Sequence, residues 1–116
     1  MENQEIRAAI YCRTTANNYI NLYDQQQKLK KYTNKMGITQ IEIFQDMVNS
    51  QSIKNRPALN QLLQLTNEKQ FDVVIIDSLS RISRYVKECE NICNELYKNN
   101  VTLIVHSLIS GGSHYE

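Results

Sequence analysis

Apolar and polar positions follow two different rhythms along this chain. Four short runs carry strand-type signals, at residues 6–11, 39–44, 71–77 and 101–105. The first, third and fourth are nearly continuous in apolar side chains, as in Val73-Val74-Ile75-Ile76. That is the signature of strands buried on both faces of a parallel sheet. The second alternates, with Thr39, Ile41 and Ile43 on one side and Gln40 and Glu42 on the other, which suits an edge position. Helical spacing fills the gaps. Leu22, Leu29, Tyr32 and Met36 mark one helix face that stops at Gly37, a good C-terminal cap. Leu59, Leu62, Leu63 and Thr66 mark a second, which begins at Pro57, a favourable first-turn residue. Ile82, Val86, Cys89, Cys93 and Leu96 mark a third, ending near Asn99 and Asn100. The order β-α-β-α-β-α-β predicts an α/β fold. It should be a three-layer sandwich with a mostly parallel central sheet of four to five strands flanked by helices. Its crossovers should be right-handed.

Two segments carry neither rhythm. Residues 14–20 follow the first strand, and residues 46–55 follow the second. Both leave the carboxyl edge of the expected sheet, where ligands bind in open α/β folds. Residues 1–107 are expected to form one domain. Residues 108–116, with Gly111-Gly112, read as a flexible tail or a truncation point.

Composition narrows the function. A chain of 116 residues is one domain. The net charge of +1 excludes a uniformly basic nucleic-acid binder, so any contact with DNA must be local. Cys12, Cys89 and Cys93 have neither disulfide-framework nor zinc-ligand spacing, and only two histidines accompany them. Cys89 and Cys93, one helical turn apart, read as core residues. No signal-length or membrane-length apolar run is present, so a reduced, cytoplasmic location is expected.

The arginines carry the chemistry. Arg13 ends the first strand, Arg56 begins the second helix, and Arg81 and Arg84 follow the third strand. Arg81 and Arg84, three apart, are expected to share a side of the third helix's first turn. Arginine at a helix start opposes the macrodipole, so two such helices call for another reason. Guanidinium groups bind phosphate oxygens bidentately, and all four arginines fall at the ligand-binding edge. Thr14-Thr15 stands beside Arg13. A hydroxyl beside clustered arginines suits phosphoryl transfer through a covalent intermediate; a lone threonine there would serve as a turn residue.

These residues fall into a recognisable pattern. Tyr11-Cys12-Arg13-Thr14-Thr15 resembles the Tyr-x-Arg-Val-Ser signature of serine recombinases, the resolvase/invertase family. Asn21-Leu22-Tyr23-Asp24-Gln25 is similar to the Ser-Leu-x-x-Gln that opens the family's first helix. Asp46, Ser50 and Arg56-Pro57-Ala58-Leu59 resemble its Asp…Ser-Gly…Arg-Pro-x-Leu block. Phe71-Asp72-Val73-Val74 followed by Leu79-Ser80-Arg81-Ile82-Ser83-Arg84 resembles its Asp-Val-Val…Leu-Asp/Ser-Arg-Leu-Gly/Ser-Arg block. The resemblance runs over residues 6–107, and the interval from Asp46 to Arg56 is most like the large serine recombinase and transposon integrase branch.

The resemblance implies a resolvase-like fold and site-specific cleavage and rejoining of DNA. A hydroxyl-bearing residue forms a covalent 5′-phosphate link, and no metal or other cofactor is needed. It places Thr15 at the nucleophile position. Arg13, Arg81 and Arg84 would hold the phosphate oxygens, Arg56 would support the phosphate or the leaving oxygen, and Gln25, Asp46, Ser50 and Ser80 would be supporting or phosphate-binding positions. The implied partners are DNA, bound weakly by this chain alone, and a second copy or another recombinase subunit. No membrane partner is expected.

Three departures bear on activity. Thr15 replaces the usual serine, adding a methyl and a stiff χ1. Gln51 replaces the glycine after Ser50, and Ser80 stands where many members have Asp. Two readings follow. The chain is a recombinase catalytic domain with weakened or lost activity, or an inactive module of the same fold that binds DNA phosphate or pairs with an active recombinase. An unrelated nucleotide binder is disfavoured, because the loop after the first strand lacks glycine.

Overall fold

The computed structural model describes residues 5–49 and 53–110. Four strands make the middle layer: β1 (Arg7–Thr14), β2 (Gln40–Met47), β3 (Val73–Ile76) and β4 (Thr102–Val105). Their order is β2-β1-β3-β4 and every pairing is parallel. Three helices cover the sheet: α1 (Tyr19–Lys35), α2 (Pro57–Asn67) and α3 (Val86–Lys98). This is the α/β sandwich the alternation predicts, with four strands.

Burial explains why these segments form these elements. Ala8, Ile10, Cys12 and Ile75 point to one face of the sheet and pack with Leu22 and Leu29 of α1. Ala9, Tyr11, Phe44, Val74 and Ile76 point to the other and pack with Leu59 and Leu62 of α2 and Cys89, Ile92 and Leu96 of α3. Both faces of β1 and β3 are therefore covered, which their continuous apolar runs require. β2 is an edge strand, as its alternation indicates, and extends three residues beyond Phe44. β4 corrects the expectation of a strand buried on both faces. It forms the other edge, with Thr102 exposed and Leu103, Ile104 and Val105 half-buried.

The helices differ from their sequence patterns in detail. In α1 the buried stripe is Leu22, Gln25, Leu29 and Thr33, while Met36 is exposed. The chain leaves this helix through Gly37 at φ +78, a backbone position that favours glycine. In α3 Ile92 takes the core position expected for Cys93, which is half-buried, and Val86 is exposed. His106–Ser110 forms a short fourth helix, α4, at the start of the expected tail. The remainder of that tail lies outside the described residues. No described helix is long and apolar enough to cross a membrane.

At the amino edge, Arg7 and Asp72 clamp β1 to the segment entering β3. Asp72 accepts hydrogen bonds from the Arg7 backbone N–H at 2.9 Å and from its Nε and Nη2 at 3.3 and 3.2 Å. These bonds from Arg7 hold the Asp72 carboxyl below its ordinary value. A lowered folded value means that the clamp contributes fully above the ordinary aspartate range, near about pH 4. Its contribution is lost as pH falls through the lowered value. Melting curves of wild type and Asp72→Asn should therefore differ at pH 6, and the difference should shrink as pH falls below about 4.

Candidate phosphate site at the carboxyl edge

Strand order locates the site. β1 leads into α1 on one face of the sheet, while β3 leads to α3 on the other. The two connections diverge beyond the carboxyl ends of β1 and β3, which is where such sheets open a crevice for ligands. Arg13 is near the end of β1 at this point, and Arg81 follows β3.

Arg13 lies in the last turn of pleat of β1 and is 7% exposed. Beyond Tyr11, which pairs with Ile76, β3 has ended and cannot bond β1 further. Gln25 of α1 supplies the missing partner. Its Oε1 accepts from the Arg13 backbone N–H at 3.1 Å, and its Nε2 donates to the Arg13 carbonyl at 2.9 Å. Nε2 also donates to Asn21 Oδ1 at 2.7 Å. A glutamine in an apolar helix stripe thus acts as one more residue of sheet.

The Arg13 side chain is different. Its Nε and Nη2 are buried, and neither has a hydrogen-bond partner among the described residues. Burial lowers its pKa, and the neighbouring positive charges of Arg56, Arg81 and Arg84 add to the effect. A buried cation surrounded by three others, with donors unpaired, is costly without an anion.

Arg81 sits in a turn of 3-10 helix, Leu79–Arg81, directly after β3. Its Nη1 donates to the Arg13 carbonyl at 3.3 Å, and its Nη2 lies 3.5 Å from Asp77 Oδ2. Its Nε is also buried without a partner among the described residues. The Arg81 side chain therefore reaches the backbone of Arg13. Arg84 is exposed in the bend that follows.

The expectation that Arg81 and Arg84 share the first turn of the third helix is not met. α3 begins at Val86. Ser83 is the reason: its buried hydroxyl accepts from the Tyr85 N–H at 2.9 Å and donates to the Glu88 carboxylate. A side chain that bonds the backbone two residues on makes a turn instead of a helix.

Arg56 is fully buried, with 0% exposure. Its Nη1 donates to the Arg81 carbonyl at 3.0 Å and to the Ile82 carbonyl. Expected to support the phosphate or the leaving oxygen, Arg56 sits enclosed and bonds these two carbonyls. It braces the turn that carries Arg81. Its position at the start of α2 is made tolerable by Asp46, which is buried on β2. Asp46 accepts from the N–H groups of Ala58 and Leu59 at 2.9 and 3.0 Å, so it caps α2 from a distance. It also accepts from the Tyr11 hydroxyl at 2.7 Å. Burial, with this bond, pushes the Tyr11 hydroxyl pKa strongly up.

Thr15 is exposed just past β1. Its loop is tied on both sides. Its carbonyl accepts from Asn18 N–H at 3.3 Å, and the next N–H, of Ala16, donates to Asn49 Oδ1 at 3.1 Å. Asn17 takes a left-handed backbone, φ 67, to complete the turn. Ser80 is exposed, with its hydroxyl 2.9 Å from that of Ser78. Ser50 lies outside the described residues. The structure therefore brings Arg13, Arg81 and Gln25 together, places Arg56 and Asp46 beneath them, and adds Asp77 and Lys28, which sequence reasoning missed.

No curated protein matches the chain. Among solved structures, the N-terminal catalytic domain of TP901-1 integrase is 28% identical, with a TM-score of 0.80, over 87% of this chain and 78% of that one. The C-terminal catalytic domain of ISC1926 TnpA, an IS607-like serine recombinase, is 27% identical, with a TM-score of 0.79, over 87% and 67%. A resolvase family site-specific recombinase from Streptococcus pneumoniae shares the fold at 19% identity, with a TM-score of 0.75, over 89% and 73%. The family described as the resolvase N-terminal domain matches residues 8–113. A parallel sheet of order β2-β1-β3-β4 with arginines at its switch point, matched over nearly the whole sequence, makes this chain a member of the resolvase family, with the catalytic-domain fold of serine recombinases.

Proposed function

We propose that the crevice between β1 and β3 binds a phosphodiester of DNA, and that Thr15 is the residue placed to attack it. The observation that carries this reading is the Arg13 guanidinium, buried among like charges with two nitrogens that have no partner among the described residues. A phosphate oxygen would satisfy those donors and offset the crowded positive charge. Arg81 supplies a further nitrogen beside it without a partner among the described residues, and exposed Arg84 meets the DNA backbone from the solvent side.

In the reaction, the Thr15 hydroxyl oxygen bonds to phosphorus and the bond from phosphorus to the 3′-oxygen breaks. The hydroxyl proton of Thr15 leaves and the 3′-oxygen gains one, so the products are a 5′-phosphothreonine link and a free 3′-hydroxyl. Reversal by another 3′-hydroxyl rejoins strands. The arginines stabilise charge on the non-bridging oxygens, the main task in phosphoryl transfer. Gln25 fixes the backbone of Arg13, and Arg56 fixes the turn bearing Arg81. One observation favours a second reading, a silent phosphate binder: the methyl that distinguishes Thr15 from serine.

The test is a titration of the isotope-labelled chain with sulfate, then with a short DNA duplex at low salt, followed by nuclear magnetic resonance. Side-chain Nε–H signals of Arg13 and Arg81 and the Thr15 amide should shift together and saturate. Duplex binding should weaken steeply with added salt. Signals that stay still in a folded chain would refute phosphate binding at this crevice.

A further inference from the structure

We infer that Asp77 is a positioning residue for Arg81, with Lys28 of α1 as the second cation on its carboxylate. Asp77 directly follows β3, and its side chain is only 12% exposed. Oδ2 faces Arg81 Nη2 at 3.5 Å, and Oδ1 accepts from Lys28 Nζ at 3.2 Å. The Asp77 backbone is fixed independently, since its carbonyl accepts from the Ser107 N–H at 2.9 Å. A carboxylate on a fixed backbone therefore holds one end of the Arg81 guanidinium, while the Arg13 carbonyl holds the other.

Geometry gives this arrangement a purpose. A guanidinium has five donors in a rigid planar fork, so two anchors define its plane and fix the directions of the remaining donors. In Arg81 the Nε is left over, buried and unpaired among the described residues. Lys28 completes the arrangement. It lies three residues beyond Gln25 on α1, so the two share a helix face. One stripe of α1 thereby serves both arginines, Gln25 through the Arg13 backbone and Lys28 through Asp77. Lys28 also shares the Asp77 charge, leaving the crevice net positive for an anion.

That Asp77 orients Arg81 stands on these contacts; its benefit to phosphate binding rests on the reading proposed above. The test follows the Arg81 Nε–H signal in the ligand-free chain. Asp77→Asn should speed its exchange with solvent about tenfold, the scale of one lost charge-assisted hydrogen bond. The Arg13 signal and the melting temperature should hardly move. Asp77→Glu should restore part of the protection, and Lys28→Met should loosen Arg81 less than Asp77→Asn does. Unchanged Arg81 exchange in Asp77→Asn would overturn the inference, as would equal loosening of Arg13 and the backbone. With inorganic phosphate as the probe, Asp77→Asn should bind about tenfold more weakly. Tighter binding would make Asp77 an electrostatic brake, and would overturn a positioning role. A wild-type chain that binds no phosphate would sink the phosphate reading alone, while the exchange measurement would still decide the role of Asp77.

Discussion

Thr15→Ser should raise the yield of covalent protein–DNA adduct about 100-fold over wild type, and Thr15→Ala should abolish it. The magnitude follows from the sensitivity of in-line attack to position, where a shift of about 1 Å costs on the order of 10²-fold. The added methyl restricts χ1 and demands space beside the phosphate. A mobile loop could move to accommodate it, but this loop is tied through the Thr15 carbonyl and the Ala16 N–H. The methyl therefore has to be absorbed by the attacking oxygen or by the DNA. The assay incubates each variant with a pool of random-sequence duplexes and counts adducts that survive denaturation. Equal yields from wild type and Thr15→Ala would show that residue 15 is not the nucleophile. Equal yields from wild type and Thr15→Ser would show that the site accommodates the methyl.

Arg56→Ala should cost about 3 kcal/mol of stability, the range for a large buried side chain whose loss strands polar partners. The carbonyls of Arg81 and Ile82 lose their donor, and the Tyr11 hydroxyl loses a neighbouring positive charge. A cavity remains, because the residue is wholly enclosed. Relief of charge crowding around Arg13 offsets part of the loss, which keeps the expectation below the upper end for buried charged residues. Arg56→Lys should recover less than half, since a single ammonium cannot reproduce the planar fork. Urea denaturation at constant slope measures both variants. A loss under about 1 kcal/mol would mean that Arg56 is not a structural brace. The same variant should also weaken phosphate binding, because the turn that Arg56 supports carries Arg81.

The element order was legible because each rhythm has a single geometric cause. The apolar runs at Ala8 to Tyr11 and Val73 to Ile76 can be satisfied only by burial on two faces, and the structure buries both. The helix boundary at Val86 was not legible. It depends on one hydroxyl, that of Ser83, choosing the backbone and Glu88 over solvent. Gln25 gave a partial signal as a polar residue in an apolar stripe; the signal marked it as unusual without naming the Arg13 backbone as its partner. Lys28 and Asp77 gave none, because 49 residues separate them and neither breaks a pattern.

The sequence alone determined the layered α/β architecture, the edge character of β2 and the delivery of four arginines and a hydroxyl to one end of the sheet. These depend on periodicity and on the position of loops after strands, both local properties. Tertiary structure decided how the arginines differ. Arg56 is enclosed and bonded to carbonyls, Arg13 is enclosed with two donors unpartnered among the described residues, Arg81 is anchored at two points and Arg84 is open to solvent. In the sequence all four are cations beside a strand or helix end. Their burial and pairing depend on which distant segment packs over each, and that is set only when β1, β3 and α1 meet.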